Sequence, residues 1–373
     1  MVGSNDYLGL THDPRVLEAA EKALRRWGTG PGGSRFLCGN TVLHDQLEER
    51  LAALVGKKKA VVFTTGFMAN LGSIDCLAPA GSTILCDREN HASIFAGCRA
   101  AASKIAIFEH NNVASAARKL KTLRRKTSGQ PVLLITEGVF SMSGDIVPLP
   151  DLLALKQDFP ELLFYLDDAH GVGVMGEKGA GTAQHFGMAS RVDLIMGTFS
   201  KALASIGGFI AADGEDLVTF LRHHSAPLIF SAALPVSCAA TVLTGLDIIS
   251  REPERLANLH RVVKRAYQGF REIGLSARYS GSAIIPVLVG SEWKAYELSR
   301  DLFEQGIFAP PAVYPAVPRG RAIIRTAFMS THTDDQITRV LETFDRLADR
   351  HHVREKDLAV PETVPRRVAV PSA

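Results

Sequence analysis

The chain has 373 residues, of which 46% are hydrophobic and 22% are charged, and its formal net charge is +3. This composition is typical of a globular protein with one large or two medium domains, and the small net charge gives no reason to expect nucleic acid or an anionic membrane as a partner. The five cysteines lack CxxC spacing and indicate a reducing compartment. No apolar run is long enough to cross a bilayer and no signal peptide follows Met1, so we expect a cytoplasmic protein without a transmembrane segment.

Residues 1–40 are predicted to form an N-terminal segment with one helix. Asp13 followed by Pro14 is typical of a helix start, and apolar residues at helical spacing extend this helix to about Trp27. Residues 28–33 match GxGxxG, but a helix precedes them where a dinucleotide site needs a strand. A flexible loop beside a ligand or a neighbouring subunit is therefore favoured. The predicted apolar face of the helix consists of Leu17, Ala20, Leu24 and Trp27.

Residues 41–245 are predicted to form a large α/β domain. It begins with an amphipathic helix over residues 41–55 and a solvated turn of lysines at 57–59. Short, nearly continuous apolar strands then alternate with helices, which is typical of a mostly parallel central sheet covered on both faces. The predicted strands are Ala60–Phe63, Thr83–Cys86, Ile105–Phe108, Val132–Ile135, Leu162–Leu166, Asp193–Met196 and Gly207–Ala212.

The pattern changes after about residue 246. A long charged helix over residues 252–273 is followed by two strands and two further helices, which predict a smaller C-terminal α+β domain over residues 246–350. Residues 351–373 combine prolines with mixed charge and are predicted to be a flexible tail.

Unusual polar residues and glycines collect where the predicted strands of the large domain end. Ligands of parallel sheets bind at the carboxyl ends of the strands, so these residues are candidates for one site. They are Gly66, His91, Glu137, Ser141, Asp167, His170 and Lys201.

Lys201 lies between two predicted core strands, among small hydroxyl residues, alanines and glycines. A lysine is costly to bury unless its charge is lost or paired, although a lysine at an exposed loop tip would need no partner. Lysine amines bond covalently to aldehydes such as that of pyridoxal 5'-phosphate (PLP). A PLP site further needs a carboxylate for the pyridine nitrogen, donors for the phosphate, a flat group on the ring and a donor for the phenolic oxygen. The candidates are Asp167 for the nitrogen, His170 for the phenolic oxygen, His91 for the ring face, and Gly66, Phe67, Thr198 and Ser200 for the phosphate.

Each of these residues also has a structural interpretation. Asp167 could cap the next segment, His91 could be a satisfied histidine at a helix start, and Thr198 and Ser200 could be turn residues. The Asp-x-x-His at 167–170 would suit a metal ion, but no second ligand cluster lies near it in sequence, so no metal is expected. Serine hydrolase chemistry has no support because no GxSxG elbow is present.

Nine motifs spread over the chain up to about residue 350 are similar to those of a known family. On these motifs the chain resembles the α-oxoamine synthases, which are PLP-dependent enzymes of fold type I. The motifs are SNDYLGL at 4–10, GSRF at 33–36, LH at 43–44 with LE at 47–48, TGF at 65–67, NHAS at 90–93, EGVFSM at 137–142, DDAHG at 167–171, TFSK at 198–201, and IRT at 324–326 with THT at 331–333.

The resemblance implies a role for each candidate residue. Lys201 would hold PLP and move the α-proton of the substrate, and a homodimer would carry its active sites at the subunit interface. The amino acid carboxylate would bind to Asn5 and Arg325, because a guanidinium donates two parallel hydrogen bonds. The remaining implied cofactor contacts are His91, Asp167, His170, Thr198, Ser200, the amides of Gly66 and Phe67, Ser141 beside the cofactor, and Ser231 from the partner subunit.

The implied reaction is a condensation of a small amino acid with an acyl-CoA thioester, which gives an α-amino ketone, CoA and CO2. Segments 199–208 and 329–333 are most like the bacterial serine palmitoyltransferases, which favours serine and a 3-ketosphinganine-like product. Segment 314–320 is also similar to the aminolevulinate and aminoketobutyrate branches. The alternatives are therefore reactions of the 8-amino-7-oxononanoate synthase, glycine C-acetyltransferase or aminolevulinate synthase type, an acyl carrier protein as donor, a PLP aminotransferase, and a non-catalytic partner subunit.

Two departures from the family pattern bear on these expectations. The family usually has some tens of residues before the first motif, whereas this chain begins almost on it, so the N-terminal segment is expected to be truncated or its start misassigned. Ala232 and Ala233 follow Ser231 where relatives often have Ser or Thr, which weakens the expected phosphate contact from the partner subunit.

Overall fold

The computed structural model describes residues 1–127 and 130–358. Ten strands occur in these residues and form two sheets. The strands are β1 Lys59–Phe63, β2 Thr83–Asp87, β3 Lys104–Phe108, β4 Val132–Glu137, β5 Leu162–Asp167, β6 Leu194–Thr198, β7 Gly208–Ala212, β8 Ile284–Gly290, β9 Pro311–Ala312 and β10 Ala322–Ala327.

Helices separate most of these strands and cover the larger sheet. They are α1 Pro14–Trp27, α2 Val42–Leu54, α3 Gly66–Leu77, α4 Ala92–Ala100, α5 Val113–Thr127, α6 Leu149–Asp158, α7 Thr182–His185, α8 Glu215–His224, α9 Ala226–Ile229, α10 Val236–Arg251, α11 Pro253–Glu272, α12 Glu292–Glu304 and α13 Asp334–His351, with short 3₁₀ helices at Ala189–Arg191 and Glu355–Asp357.

The larger sheet has seven strands in the order β1-β7-β6-β5-β4-β2-β3. Strands β3, β2, β4, β5 and β6 run parallel, and β7 lies antiparallel between β6 and β1. Every residue of β2, β4 and β6 is buried, as expected for strands covered by helices on both faces. The predicted mostly parallel sheet, and with it the α/β fold class, is confirmed.

Alternate residues of the central strands contribute to two separate cores. Phe164 belongs to the core on one side of β5, whereas Tyr165 belongs to the core on the other. Burial of each such side chain stabilises the fold by about 1.5–3 kcal/mol. The strands therefore stay in register, and their carboxyl ends lie side by side at one edge of the sheet. There Glu137 at the end of β4 is the register neighbour of Asp167 on β5, and Asp167 is the register neighbour of Met196 on β6.

The smaller sheet is antiparallel, in the order β8-β10-β9; α11 and α12 pack against it, and α13 packs against these two helices. The N-terminal residues join this region, because the Val2 amide donates to Phe308 and the Val2 carbonyl accepts from the Ala327 amide at 2.8 Å. These two hydrogen bonds of Val2 place the start of the chain beside β10.

The predicted limit between the two domains, at residues 245 and 246, falls within α10, so the domain division stays a prediction.

Three local expectations differ from the structure. Lys57, predicted to be solvated, has a fully buried side chain whose Nζ donates to the Val192 carbonyl at 2.6 Å and to Asp213 at 2.7 Å. The predicted apolar face of α1 points largely to solvent, since Leu17 and Trp27 are 53% and 40% exposed. Val353 is fully buried within the predicted tail, of which residues 359–373 lie outside the described part.

None of the helices in residues 1–127 and 130–358 combines the length and apolar character that a membrane span requires.

Candidate active site

Asp167 ends β5 and is buried at the edge of the sheet. Its Oδ2 accepts a hydrogen bond from Asn70 Nδ2 at 2.7 Å, and its Oδ1 accepts from the Ala169 amide at 3.1 Å. Asn70 is itself fixed, because its Oδ1 accepts from the Tyr165 hydroxyl at 2.8 Å. These donors stabilise a carboxylate away from bulk water and hold its orientation.

Lys201 follows β6 in a tight loop that returns to β7. The loop is closed by the Phe199 amide donating to the Gly207 carbonyl at 2.9 Å and the Ala204 amide donating to the Lys201 carbonyl at 3.1 Å. Burial lowers the pKa of the Lys201 amine from 10.5 to about 8, although the carboxyl groups of Asp167 and Glu137 oppose the shift. The neutral amine is therefore far more populated near neutral pH than that of an ordinary lysine, and in this form it can act as a nucleophile or base.

The start of α3 and the end of β6 approach each other closely. A Cβ atom placed on Gly66, the first residue of α3, would lie 2.8 Å from Oγ1 of Thr198. Oγ1 of Thr198 lies 3.0 Å from Oγ of Ser200. Phe67, the second residue of α3, has 47% of its surface exposed. Free amides of a helix N-terminus beside two hydroxyls are the donor set that a phosphate needs.

His170 is connected to the smaller sheet through the N-terminal segment. Its Nδ1 lies 2.7 Å from the Tyr7 hydroxyl, which also lies 3.1 Å from Oδ1 of Asn5. Arg325 on β10 donates to the same Asn5 oxygen at 3.0 Å and to the Ser141 carbonyl at 2.6 Å. Burial and the positive charges of Lys201 and Arg325 lower the pKa of His170 well below its usual value. His170 is therefore a neutral imidazole at physiological pH.

His91 precedes α4, and its Nδ1 lies 2.7 Å from Oγ of Ser93. Burial lowers its pKa, against the opposing effect of the Asp167 carboxylate. Glu137 is fully buried, and it accepts a hydrogen bond from the His91 amide while its Oε1 has no partner in the described residues. Burial, with the nearby Asp167 charge, raises the pKa of Glu137 well above its usual value, which favours the protonated acid.

Two residues stand apart from this cluster, namely Asp168, which is adjacent to Asp167, and the predicted phosphate contact Ser231. Asp168 points away, because its carboxylate accepts from the Thr182 amide and hydroxyl, both at 2.6 Å, and burial raises its pKa to about 7. Ser231 makes no side-chain hydrogen bond within the described part of this chain, and it follows Phe230, which is 85% exposed. A phosphate contact from Ser231 across a subunit interface stays a prediction.

The residues of this cluster fit PLP. Its aldehyde would meet the amine of Lys201, its protonated ring nitrogen would suit the buried carboxylate of Asp167, and its phosphate would suit the donors around Gly66 and Thr198. No group of three or more His, Cys, Asp or Glu side chains in residues 1–127 and 130–358 is arranged to hold a metal ion.

Residues 2–344 match the model of the aminotransferase class I and II family. The chain belongs to this family. Among curated relatives, the serine palmitoyltransferase of Sphingobacterium spiritivorum is 43% identical over 93% of this chain and 86% of its own length. The 8-amino-7-oxononanoate synthase of Thermoanaerobacter pseudethanolicus is 37% identical over 94% of this chain and 88% of its own length.

Solved structures agree with these relatives. The serine palmitoyltransferase of Sphingomonas wittichii superposes with a TM-score of 0.91 at 34% identity, covering 95% of this chain and 88% of its own. A structure of SPT with PLP superposes with a TM-score of 0.90 at 32% identity, and the match covers 94% of this chain and 88% of that chain. The predicted membership of the PLP-dependent α-oxoamine synthases, which are acyltransferases of fold type I, is confirmed.

Sequence reasoning left three site residues without a role. Tyr7 lies inside the SNDYLGL motif and Glu137 at the end of a predicted strand, but neither position by itself indicates a role, and Asn70 lies outside the motifs. The signal for Asn70 is weak, since it is a polar residue on the buried face of α3, with 1% of its surface exposed. Its partner Asp167 is 97 residues away in the chain, so only the fold relates the two.

Proposed function

We propose that this α-oxoamine synthase condenses L-serine with a long-chain acyl-CoA such as palmitoyl-CoA, giving an α-amino ketone, CoA and CO2. The observation that carries the proposal is the 43% identity to a serine palmitoyltransferase over 93% of the chain, against 37% for an 8-amino-7-oxononanoate synthase. Both types of relative take an amino acid and an acyl thioester, so the class of reaction does not depend on which one this enzyme resembles more.

In this proposal the larger sheet holds the cofactor. PLP supplies an electron sink through its protonated ring. Asp167 would keep the ring nitrogen protonated, and His170 would donate to the phenolic oxygen. The other cofactor contacts would be His91 on the ring face, Ser141 beside it, and the amides of Gly66 and Phe67 with the hydroxyls of Thr198 and Ser200 at the phosphate.

The smaller sheet would hold the substrate. Arg325 and Asn5 would bind the carboxylate of serine, and Nζ of Lys201 would remove the proton from its α-carbon. That carbon then bonds to the thioester carbonyl carbon while the C–S bond breaks, and the thiolate leaves as CoA. The carboxylate leaves as CO2, and Lys201 would return a proton to the α-carbon.

The test is release of free thiol from acyl-CoA by purified, PLP-loaded enzyme. Serine with palmitoyl-CoA should release thiol at least about tenfold faster than alanine or glycine does with palmitoyl-CoA. This ratio corresponds to about 1.4 kcal/mol of additional binding of the transition state formed from serine. A preference for alanine or glycine would favour the 8-amino-7-oxononanoate synthase or aminolevulinate type of reaction. No thiol release with any amino acid would contradict a synthase.

Replacing Arg325 by lysine is expected to raise the KM for serine by at least about tenfold with a smaller change in kcat. The guanidinium donates in parallel and is held by Asn5 and the Ser141 carbonyl, whereas an ammonium is a single point charge. The measurement is initial thiol release against serine concentration at saturating acyl-CoA. An unchanged KM for serine in Arg325→Lys would contradict the proposed anchor.

We also propose that the enzyme is a cytoplasmic homodimer with its active sites at the subunit interface. Supporting this, large apolar side chains stay exposed beside the site, where Phe67 and Ile206 are 47% and 50% exposed. Others lie on α1, on the segment that leads into the first residue of α2, and directly after α9. Exposed apolar groups of this extent are typical of an interface in the assembled protein. They are Leu17, Leu24, Trp27, Phe36, Leu37, Val42 and Phe230.

Leu37→Glu is expected to weaken the dimer by at least about tenfold, because a charge would enter an apolar interface. Leu37 is 80% exposed in the single chain. The measurement is sedimentation over a range of protein concentrations. Trp293→Glu is the matched control, since Trp293 is 71% exposed on α12, outside the proposed interface. Equal dimerisation of Leu37→Glu and the parent protein, or a monomeric parent, would contradict this interface.

A further inference from the structure

Tyr7 is a buried residue that connects the cofactor side and the substrate side of the site and has no role in the steps above. It is 1% exposed, and its hydroxyl lies 2.7 Å from Nδ1 of His170 and 3.1 Å from Oδ1 of Asn5. His170 belongs to the cofactor side, whereas Asn5 and Arg325 belong to the substrate side.

The Tyr7 hydroxyl has one proton and two neighbours that can accept it. Oδ1 of Asn5 already accepts from Arg325 at 3.0 Å, so it does not depend on Tyr7 for a donor. Nδ1 of His170 lies closer to the hydroxyl and has no other hydrogen-bond partner in the described residues. The proton is therefore expected on the side of His170.

This choice decides which nitrogen of His170 carries the ring proton. A neutral imidazole has one donor and one acceptor nitrogen, and the bond made by one nitrogen determines the state of the other. If Nδ1 accepts from Tyr7, then Nε2 must be the N–H donor. A donor at Nε2 is what His170 needs in order to bind a phenolic oxygen.

We propose that Tyr7 is a positioning residue that donates its hydroxyl proton to Nδ1 of His170 and so keeps Nε2 of His170 protonated toward the phenolic oxygen of PLP. This rests on the proposed function for the identity of the group that His170 faces. Arg325 also donates a hydrogen bond to the Tyr7 hydroxyl oxygen, which connects His170 to the Arg325 anchor, so an amino acid carboxylate bound there is expected to alter the hydrogen bonding of His170.

The first test reads the tautomer directly in PLP-loaded protein labelled with nitrogen-15 histidine, with the signal assigned by its loss in His170→Gln. In the parent protein, Nδ1 of His170 should appear as a non-protonated acceptor and Nε2 as an N–H. In Tyr7→Phe the two nitrogens should move toward a mixture of tautomers. A parent protein with its proton on Nδ1 would overturn the proposal.

The second test is a pH titration of the visible absorbance of the loaded protein. Tyr7→Phe should shift the midpoint by at least about half a pH unit, because a phenolic oxygen that loses its donor changes its basicity. Tyr279→Phe is the matched control, since Tyr279 stacks on Tyr267 and lies outside the cluster. A merely structural role would lower the melting temperature of Tyr7→Phe and leave the midpoint unchanged, which would also overturn the proposal.

These readouts separate the role of Tyr7 from the identity of the substrates. Neither the tautomer measurement nor the pH titration requires thiol release. A parent enzyme that uses neither serine nor acyl-CoA would contradict the proposed function, but the tautomer measurement would still decide the role of Tyr7. In an active enzyme, Tyr7→Phe should lower kcat/KM for serine by about tenfold or more.

Discussion

Replacing Lys201 by alanine is expected to abolish covalent attachment of PLP and to lower kcat by at least about 10³-fold. The amine of Lys201 is the buried nucleophile of the cluster, and its pKa of about 8 distinguishes it from an ordinary surface lysine. The measurement combines the visible spectrum with borohydride reduction and peptide mass analysis. In the parent protein the mass of the cofactor should appear on the peptide that contains Lys201.

The pH dependence of cofactor loading follows from the same pKa. Only the neutral amine attacks an aldehyde, so the rate at which PLP-free protein takes up PLP should rise with pH and level off above about 8. Burial produces this low pKa, while Asp167 and Glu137 oppose it. Because burial raises the pKa of Glu137 and favours its neutral acid, Glu137→Gln should leave the midpoint of PLP uptake unchanged, and a shift to lower pH would show that Glu137 carries a negative charge beside Lys201.

Lys57→Ala is the matched control for Lys201→Ala. Both lysines are buried, but Lys57 donates to the Val192 carbonyl and to Asp213. Asp213 follows the last residue of β7, whereas Lys201 lies in the loop that precedes the first residue of that strand. Lys57→Ala should lower stability by about 1–3 kcal/mol, because the acceptors lose a charged donor, and should keep the visible spectrum of the loaded protein. An unchanged spectrum and peptide map in Lys201→Ala would contradict the assignment of Lys201.

Asp167→Asn is the second substitution with a large expected effect, a fall in kcat/KM of about 10³-fold. A neutral amide cannot keep a pyridine nitrogen protonated. The side chain is also surrounded by donors, since Asn70 donates to one oxygen and the Ala169 amide to the other. An asparagine at this position would direct its own N–H groups at one of them, which adds an unfavourable contact.

Asp168→Asn separates the chemical effect from the structural one. Asp168 is equally buried and also accepts two hydrogen bonds, from the amide and hydroxyl of Thr182, but it points away from the cluster. This variant should lose stability by about 1–3 kcal/mol while the folded fraction keeps the spectrum and activity of the parent. Equal kcat/KM for Asp167→Asn and Asp168→Asn at matched folded fraction would contradict the proposed pairing of Asp167 with the cofactor.

Much of the fold could be predicted because its signals are local. The apolar strands of the larger sheet begin and end within a few residues of their predicted limits, since burial on both faces requires an almost continuous apolar run. Asp167 and Lys201 were recognisable for a related reason. Asp167 directly follows such a run and Lys201 lies in the short loop between two of them, where a charged group is costly unless it has a function or a partner.

The features that were not predicted depend on contacts between distant parts of the chain. Lys57 follows α2 in a run of three lysines that locally resembles a solvated turn, yet its partner Asp213 is 156 residues away. Leu17 and Leu24, on the face of α1 that was expected to be buried, stay exposed because the helix is turned so that the adjacent stripe with Val16 and Ala23 is buried instead. Helical spacing reports that a face is apolar, but it does not report what covers that face.

By itself, the sequence determined the parallel sheet, the family and the candidates around Lys201, because strand periodicity and short motifs are properties of neighbouring residues. Only the tertiary structure decided how those candidates meet. It brings Asn5 and Tyr7 from the start of the chain to Arg325 on β10 and His170 after β5, and it directs Asp167 into the cluster and Asp168 away from it. Successive side chains at a strand end point to opposite sides, so the backbone path, which the whole core sets, selects which of two adjacent carboxylates faces Lys201.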